Sequence, residues 1–523
     1  MIRIAELVKA IISVHKNNDK IMNLTSRTVQ GVRWTGTSRI TGLLLQLGIT
    51  ALLARLLTPN DFGLLAMVVV FTNLVMVFHD FGLTAALIQR KGLTEAHLFS
   101  SFWMNVLTGL LLAFLLVVLA PAIAYFYGED RLTPIIMVLA STFFISSFGI
   151  VQTALFMTEL NFKPLAIIEI SAVAISGTAA VVFAFSGFGV WSLVWQRIIS
   201  SLVMVIFLWN FSRWRPRIFF KWQRVKELLG FGLNFTGFNF VNYFARNLDN
   251  LLIGKFLGAG PLGFYNLAYW LLLFPLGNIS SVIGRVMFPS LSAIQNDKSK
   301  VRYAYVKSTR YIATVTFPLM VGVLVLTPQF IRVIFGLQWE RSIFLVQILA
   351  LVGLVESILT TIGWIYNSQG RTDIQLRWGI FATLVCTIAF VIGLRWDVEG
   401  VTVAYAIASF LIMYPGFAIP FRLIDLKFSH FIKQLSLIFL AAIGMGGIVF
   451  AVRLSLENML GTTDLVLLTS TATVGVISYA GLLFILDRSV YREVFQLLRQ
   501  LRPPTREMAW QENCNSRSTK EKL

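Results

Sequence analysis

The strongest constraint on this chain is a repeated one: predominantly apolar runs of about 20 residues recur along nearly all of its 523 residues, the length at which an α-helix crosses a hydrocarbon core ~30 Å thick. Inside lipid a backbone must satisfy its own polar groups, so runs of this kind are helices rather than open strands. Composition closes off the soluble alternative. The chain is 57% hydrophobic and 13% charged, where soluble domains carry roughly 25% charged residues, and no water-facing surface can be made from what remains. The expected fold is an all-α polytopic membrane protein of about 14 transmembrane helices. The spans read as 34–57, 62–79, 99–124, 134–157, 164–185 and 190–211, then 228–257, 262–291, 308–335, 342–366, 374–394 and 401–421, and finally 432–452 and 465–486.

Basic residues set the orientation, because Lys and Arg resist translocation and collect in short cytoplasmic connections. The connection 212–226 (SRWRPRIFFKWQRVK), the loop 295–307, the turn 422–433 and both termini are basic, whereas TPND (58–61), SGFG (186–189) and GAGP (258–261) are tight turns without a cation. Of the 44 Lys and Arg, about 33 fall on one side and about four on the other. Both termini are therefore expected in the cytoplasm, with an even number of crossings. The resulting plan is a basic N-terminal segment (1–33), an N-lobe of six helices (34–211), a basic linker (212–227), a C-lobe of six helices (228–421), two further helices (432–486) and a cytoplasmic tail (487–523).

The net charge of +19 belongs to these connections and does not point to nucleic acid. No cleavable signal peptide is visible, and Met22, opening MNLTSRTVQGVRW before the first span, is an alternative start of translation. Cys386 lies in an apolar run and Cys514 in the polar tail, so neither a disulfide framework nor a thiolate metal site is expected. The four histidines, His15, His79, His97 and His430, are scattered, and no phosphate-cradling Gly-rich loop with its Lys occurs. No cofactor or metal is expected, and an ATPase or metalloenzyme is disfavoured.

A shift of 200 positions superposes LLARLLTPNDFG (52–63) on LLIGKFLGAGPLG (251–263), matching Arg55 to Lys255 and Gly63 to Gly263. GVWSL (189–193) echoes GVTVA (400–404) at a slightly larger shift. Because each unit holds an even number of crossings, the two copies share one orientation and are related by a pseudo-two-fold axis along the membrane normal. Two lobes facing a central cleft follow.

A charge within a span costs ~2.5–3.5 kcal/mol at the helix centre on insertion scales, so each one marks a candidate site. In the seventh span Asn239, Asn242, Arg246, Asp249 and Asn250 recur at spacings of three and four, which places them on one helix face. The 200-residue shift carries this stripe onto Arg39, Gly42, Gln46 and Thr50 of the first span, and Thr35 extends it. The stripe reads as the lining of a water-filled space, or as packing by interhelical hydrogen bonds. Arg246 and Asp249 are alternatively an intrahelical pair. Arg39, Arg197 and Arg285 stand near enough to their span ends to snorkel to an interface. Glu356, near the middle of the tenth span, is either a group coupled to an ion or the partner of a cation on a neighbouring helix. Glu169 is a weaker case of the same kind. Pro275, Pro318 and Gly284 are hinge points or packed kinks.

The segments LLARLLTPNDFGLLAMVVVF, DFGLTAALIQRKGLTEAHLFSSFWMN (80–105), LDNLLIGKFLGAGPLGFYNLAY (248–269), VIGRVMFPSLS (282–292) and FPLMVGVLVLTPQFIRVIFGLQW (317–339) together resemble the polysaccharide flippases of the multidrug/oligosaccharidyl-lipid/polysaccharide (MOP) exporter superfamily, in the colanic-acid exporter, Wzx-type branch. The likeness runs from about residue 22 to the last span. It implies fourteen helices, alternating access, and movement of undecaprenyl-diphosphate-linked oligosaccharides across the bacterial inner membrane for exopolysaccharide, capsule or lipopolysaccharide synthesis. It further implies a cationic cavity for diphosphate or acidic sugars, for which Arg39, Arg246 and Arg285 are the candidates, and handover to a polysaccharide polymerase complex. Two rivals stand beside this expectation. A drug/cation antiporter of the same superfamily would favour acidic over basic groups in the spans. A membrane-embedded polymerase or ligase would place catalytic side chains on a long outward loop, and the longest outward connections here, near 125–133 and 455–464, are short.

Overall fold

The structure, a computed structural model, describes residues 41–89, 93–159, 161–460 and 463–488. Among them every regular element is helical. The first half comprises α1 (Thr41–Leu56), α2 (Pro59–Met76), α3 (Leu83–Gln89), α4 (Glu95–Tyr127), α5 (Leu132–Ser147), α6 (Ile150–Thr158), α7 (Phe162–Phe185) and α8 (Val190–Phe211). The second holds α9 (Trp222–Leu257), α10 (Ala259–Ala293), α11 (Lys298–Phe330), α12 (Arg341–Leu359), α13 (Ile362–Ser368), α14 (Thr372–Gly393) and α15 (Asp397–Leu423). A hairpin of α16 (Phe428–Leu460) and α17 (Asp464–Leu486) follows.

Nine helical segments among the described residues have the length and hydropathy to cross a membrane, ten when the bent pair α5–α6 counts as one. The chain is thus a multi-pass membrane protein. Exposed apolar side chains such as Leu107, Leu111, Phe114 and Val118 of α4 form the surface that acyl chains cover.

Local sequence explains where helices start and stop. TPND opens α2 through a reciprocal cap, with Asp61 N–H donating to Thr58 Oγ1 at 3.3 Å and Thr58 N–H to the Asp61 carboxylate at 2.9 Å, while Pro59 supplies the preset φ of a first helical residue. Gly128, at φ +70°, closes α4 in the left-handed conformation that a side chain would oppose.

Three expected spans are not simple helices. The run 134–157 is broken at residues 148–149, where α5 and α6 meet at a 43° bend. A Cβ on Gly149 would stand 2.8 Å from Leu208 Cδ1, so the glycine lets α8 approach the break. The run 342–366 is interrupted at Thr360 and Thr361 between α12 and α13. The run 308–335 begins earlier, at Lys298, and ends in a π turn, Ile331–Phe335, just after Pro328 removes a backbone donor. Pro318, a candidate hinge, sits inside α11. Gly284, another, packs against Trp364, whose Nε1 would lie 3.0 Å from an added Cβ.

Helix pairs α4 with α5 and α7 with α8 build the first half, α11 with α12 and α14 with α15 the second, and α2 packs on α10 across the two. The α16–α17 hairpin rests on α11. It is fastened at one end by Arg310 to Asp487 at 2.6 Å and at the other by Glu457, which accepts from Gln329 and Arg453, both at 2.9 Å. The connection 212–221 is held to α4: Lys221 N–H donates to Ser100 Oγ at 2.9 Å, Trp103 Nε1 to the Arg217 carbonyl at 2.9 Å, and Trp214 stacks on Phe99.

Candidate functional site

The two halves meet where α1 ends and α2 begins, and the contact is reciprocal. A Cβ on Gly63 would fall 1.7 Å from the Ala259 carbonyl oxygen, and one on Gly263 would fall 1.9 Å from the Pro59 carbonyl oxygen. Residues 59 and 259, like 63 and 263, correspond under the 200-residue shift, so repeat-related glycines each admit the other half's backbone. The repeat-related cations do the same with helix ends. Arg55 donates to the carbonyls of Val333 and Ile334 at the end of the α11 extension, and Lys255 donates to the Phe126 carbonyl near the end of α4. Cations at C-terminal helix ends satisfy orphan carbonyls and complement the helix dipole. Gln338 and Trp339 add donors to the Ala54 carbonyl, Trp339 at 2.8 Å.

The second half contains a polar cluster. Asp249, on α9, is only 4% exposed; its Oδ2 accepts from Tyr265 Oη and its Oδ1 from Asn250 N–H, at 2.9 and 2.8 Å. Tyr269, stacked on Tyr265 with ring centroids 5.7 Å apart, shares a hydrogen bond with Tyr405 of α15. The charges of Asp249, Glu356 and Arg246 all act on Tyr269, and Arg246 is the cation acting on Glu356. Five helices, α9, α10, α12, α14 through Cys386, and α15, converge here.

The residues of the stripe stand in different surroundings. Among the described residues Arg246 makes no ion pair with Asp249; it is accessible, while Asp249 is buried and bonded to α10. Asn250 is half-buried, with Oδ1 lacking a partner among the described residues. On α1, Gln46 is exposed and Thr50 half-buried. Arg39, Thr35 and Met22 lie outside the described residues, as do the side chains of Asn239, Asn242, Arg285 and Pro275. The tyrosines were missed in the sequence. Their signal is Tyr265 and Tyr269 four apart in an apolar helix, which puts two phenols on one face.

Residues 52–344, over half the chain, match a family described as polysaccharide biosynthesis protein. The Escherichia coli (strain K12) lipopolysaccharide biosynthesis protein WzxC is 31% identical over 374 residues, 71% of this chain and 76% of that protein. The chain belongs to the polysaccharide biosynthesis protein family. A second member of similar sequence, the teichuronic acid biosynthesis protein TuaB of Bacillus subtilis (strain 168), is 29% identical over 482 residues, covering 91% of this chain and 99% of TuaB. Among solved structures, the lipid II flippase MurJ in its inward closed conformation superposes with a TM-score of 0.68 at 16% identity, covering 88% of this chain and all of that one. At that identity the likeness is one of fold. In this polysaccharide biosynthesis protein, residues that correspond under the 200-residue shift thus meet across the two halves of the chain.

Proposed function

We propose that the chain is a flippase that carries polyprenyl-diphosphate-linked oligosaccharides across the bacterial inner membrane for surface polysaccharide synthesis. The reciprocal seam carries the mechanistic reading: two repeat-related lobes that touch through matched glycines and matched cationic caps are built to part and re-form as rigid bodies. Membership of a polysaccharide biosynthesis family supplies the class of cargo. With both termini in the cytoplasm, the basic connections face inward and the seam lies on the periplasmic side, which makes this conformation one that is shut outward. The lipid-linked unit enters from the inner leaflet, its headgroup in the interlobe space and its polyprenyl tail in lipid. Arg39, Arg246 and Arg285 attract the diphosphate, and Gln46, Thr50, Asn239, Asn242 and Asn250 offer it hydrogen bonds. Asp249 and Glu356 place two carboxylates in the cluster around Tyr269, groups suited to cation coupling. No bond of the cargo is made or broken in this scheme. The product then passes to a polymerase.

Deleting the gene and analysing lipid extracts by mass spectrometry tests this directly: lipid-linked oligosaccharide accumulates on the inner leaflet, and its mass identifies the sugar. An unchanged lipid-linked pool with normal surface polymer rejects the flippase reading. The double variant Arg39→Ala, Arg246→Ala reproduces the accumulation at wild-type protein levels, and normal export by that variant rejects the cationic-cavity assignment.

A further inference from the structure

The connection that joins the two halves, 212–221, combines charge with exposed apolar surface in a way that none of the roles above uses. From Ser212 to Lys226 the chain reads SRWRPRIFFKWQRVK, with six cations and no carboxylate. Ile218 is 96% exposed and Trp222 54%, and Phe219 and Phe220 between them are exposed as well. Bulky apolar side chains turned outward among cations mark a surface that meets something other than water.

The position of the segment decides what that is. It is fixed to the first part of α4 by the bonds of Lys221 to Ser100 and of Trp103 to Arg217, and by Trp214, which stacks on Phe99 and donates to Glu95 at 3.3 Å. The 33 residues of α4 make ~50 Å of helix against a hydrocarbon core of ~30 Å, so about 10 Å at each end stands in the headgroup layers. The partners of the segment, from Glu95 to Trp103, occupy the first ~12 Å. Phe99 and Trp103 also begin a row that continues at intervals of three and four through Leu107, Leu111, Phe114 and Val118, the exposed apolar face of α4. The segment therefore lies on the lipid-facing side of α4, at the depth where acyl chains give way to headgroups.

Its cations are committed to different degrees. Arg215 donates to the carbonyls of Trp209, Ser212 and Trp214 at 2.7, 2.6 and 2.9 Å, and Arg224 pairs with Glu227 at 3.0 Å. Arg213 and Arg217 are exposed, and among the described residues their guanidiniums have no hydrogen-bonding or ionic partner. Lys221 lies over the ring of Phe219, 5.4 Å from its centroid. The adjoining carboxylates are taken: Glu95 accepts from Trp214, and Glu227 pairs with Arg224 and His97. Open cations beside apolar side chains at a bilayer surface match a lipid with an anionic headgroup, whose acyl chains the apolar groups meet. A soluble acidic protein would match the cations but not the apolar side chains at that depth.

We propose that the connection 212–221, with Trp222 beside it, is a binding site for anionic phospholipid of the cytoplasmic leaflet. Arg213, Arg217 and Lys221 meet the headgroup phosphate, and Ile218, Phe219, Phe220 and Trp222 enter the acyl boundary. Because the connection joins α8 to α9, lipid bound there holds the joint between the lobes at the membrane surface. The site takes bilayer lipid and not cargo, so it stands whatever the lobes transport.

Native mass spectrometry of the purified full-length chain in neutral detergent tests this, with phosphatidylglycerol and phosphatidylcholine of identical acyl chains as probes. Wild type retains phosphatidylglycerol about tenfold more tightly. The triple variant Arg213→Gln, Arg217→Gln, Lys221→Gln loses that preference, Arg213→Lys with Arg217→Lys keeps it, and Ile218→Ser with Phe220→Ser weakens retention of both lipids. A control triple variant, Lys298→Gln, Lys300→Gln, Lys427→Gln, removes the same charge from other basic connections and leaves the preference intact. All six cations are exposed, so the substitutions leave packing alone, and elution as monodisperse as wild type verifies it. Equal retention of the two lipids by wild type, a preference that survives the first triple variant, or an equal loss in the control overturns the proposal. Binding of soluble polyglutamate through the three cations, with no preference between the lipids, assigns the patch to an acidic protein and overturns it as well.

Discussion

The two lobes share a helical plan and a pseudo-symmetric seam, but their interiors treat charge in opposite ways. In the C-lobe, Asp249 is bonded to Tyr265 and to backbone, Tyr269 and Tyr405 bond to each other, and Arg246 acts on Glu356. In the N-lobe, Arg197 faces a cavity without a partner among the described residues. Buried polar atoms without a partner among the described residues occur in both lobes, on Asn105 and Gln152 in the first and on Thr236, Asn250, Tyr366 and Ser409 in the second. The contrast is therefore one of charge: a carboxylate bonded within its own cluster is organised in advance, whereas a guanidinium left open is placed to meet an anion. The halves correspond under the 200-residue shift, so the difference lies in side chains placed on a shared plan; under the proposed scheme the C-lobe carboxylates serve coupling, while arginines of both lobes meet the cargo.

The largest effect that would break this division comes from the C-lobe carboxylates. Asp249→Asn and Glu356→Gln keep size and hydrogen-bonding capacity while removing charge. Each should reduce transport in a complemented deletion strain by tenfold or more, on the order of a lost charged interaction, and leave binding of lipid-linked saccharide to purified protein unchanged. Arg246→Gln should lose binding instead. If the carboxylate variants lose binding to the same degree, coupling and cargo recognition are not served by separate groups.

A smaller effect tests the symmetry that the comparison assumes. Gly63→Ala and Gly263→Ala each put a methyl group within 2 Å of a carbonyl oxygen of the opposite lobe, an overlap that only backbone movement relieves, at about 1–3 kcal/mol. Both should weaken the outward seal, raising labelling of a cysteine placed at Leu57 by a membrane-impermeant maleimide, and to similar extents. A large inequality between them would mean that the seam is held chiefly from one side.

Much of this plan was legible in the sequence because it depends on periodicity and composition alone. Apolar length gave the membrane helices, and the fixed shift paired Gly63 with Gly263 and Arg55 with Lys255, without indicating that these residues meet the opposite half of the chain. The breaks in helices were harder to see, because the bend at Gly149 depends on how closely α8 approaches and no local signal encodes that distance. The stripe on α9 was legible as a face but not as a set of partners. Whether Asp249 bonds to Arg246 three residues away or to Tyr265 on the next helix is decided by tertiary packing. Arg197 was visible only as a charge near a helix end. That it faces a cavity required the packing of α8 to be known, since a short distance to the end and an inward direction are different properties.

The smallest expected effect isolates one bond in the C-lobe. Tyr265→Phe removes the hydroxyl that donates to Asp249 Oδ2 and leaves the stacked ring, so the change in packing is slight and the lost interaction is a hydrogen bond to a buried carboxylate. Removing one donor from such a group costs about 1.5–3 kcal/mol, and the thermal unfolding midpoint in detergent should fall accordingly. Tyr269→Phe, which breaks a bond between two phenols, should cost less, about 1 kcal/mol. The order of the two is the informative result. If Tyr269→Phe proves the more damaging, the bond between the two phenols holds the cluster together more than the donor to Asp249 does.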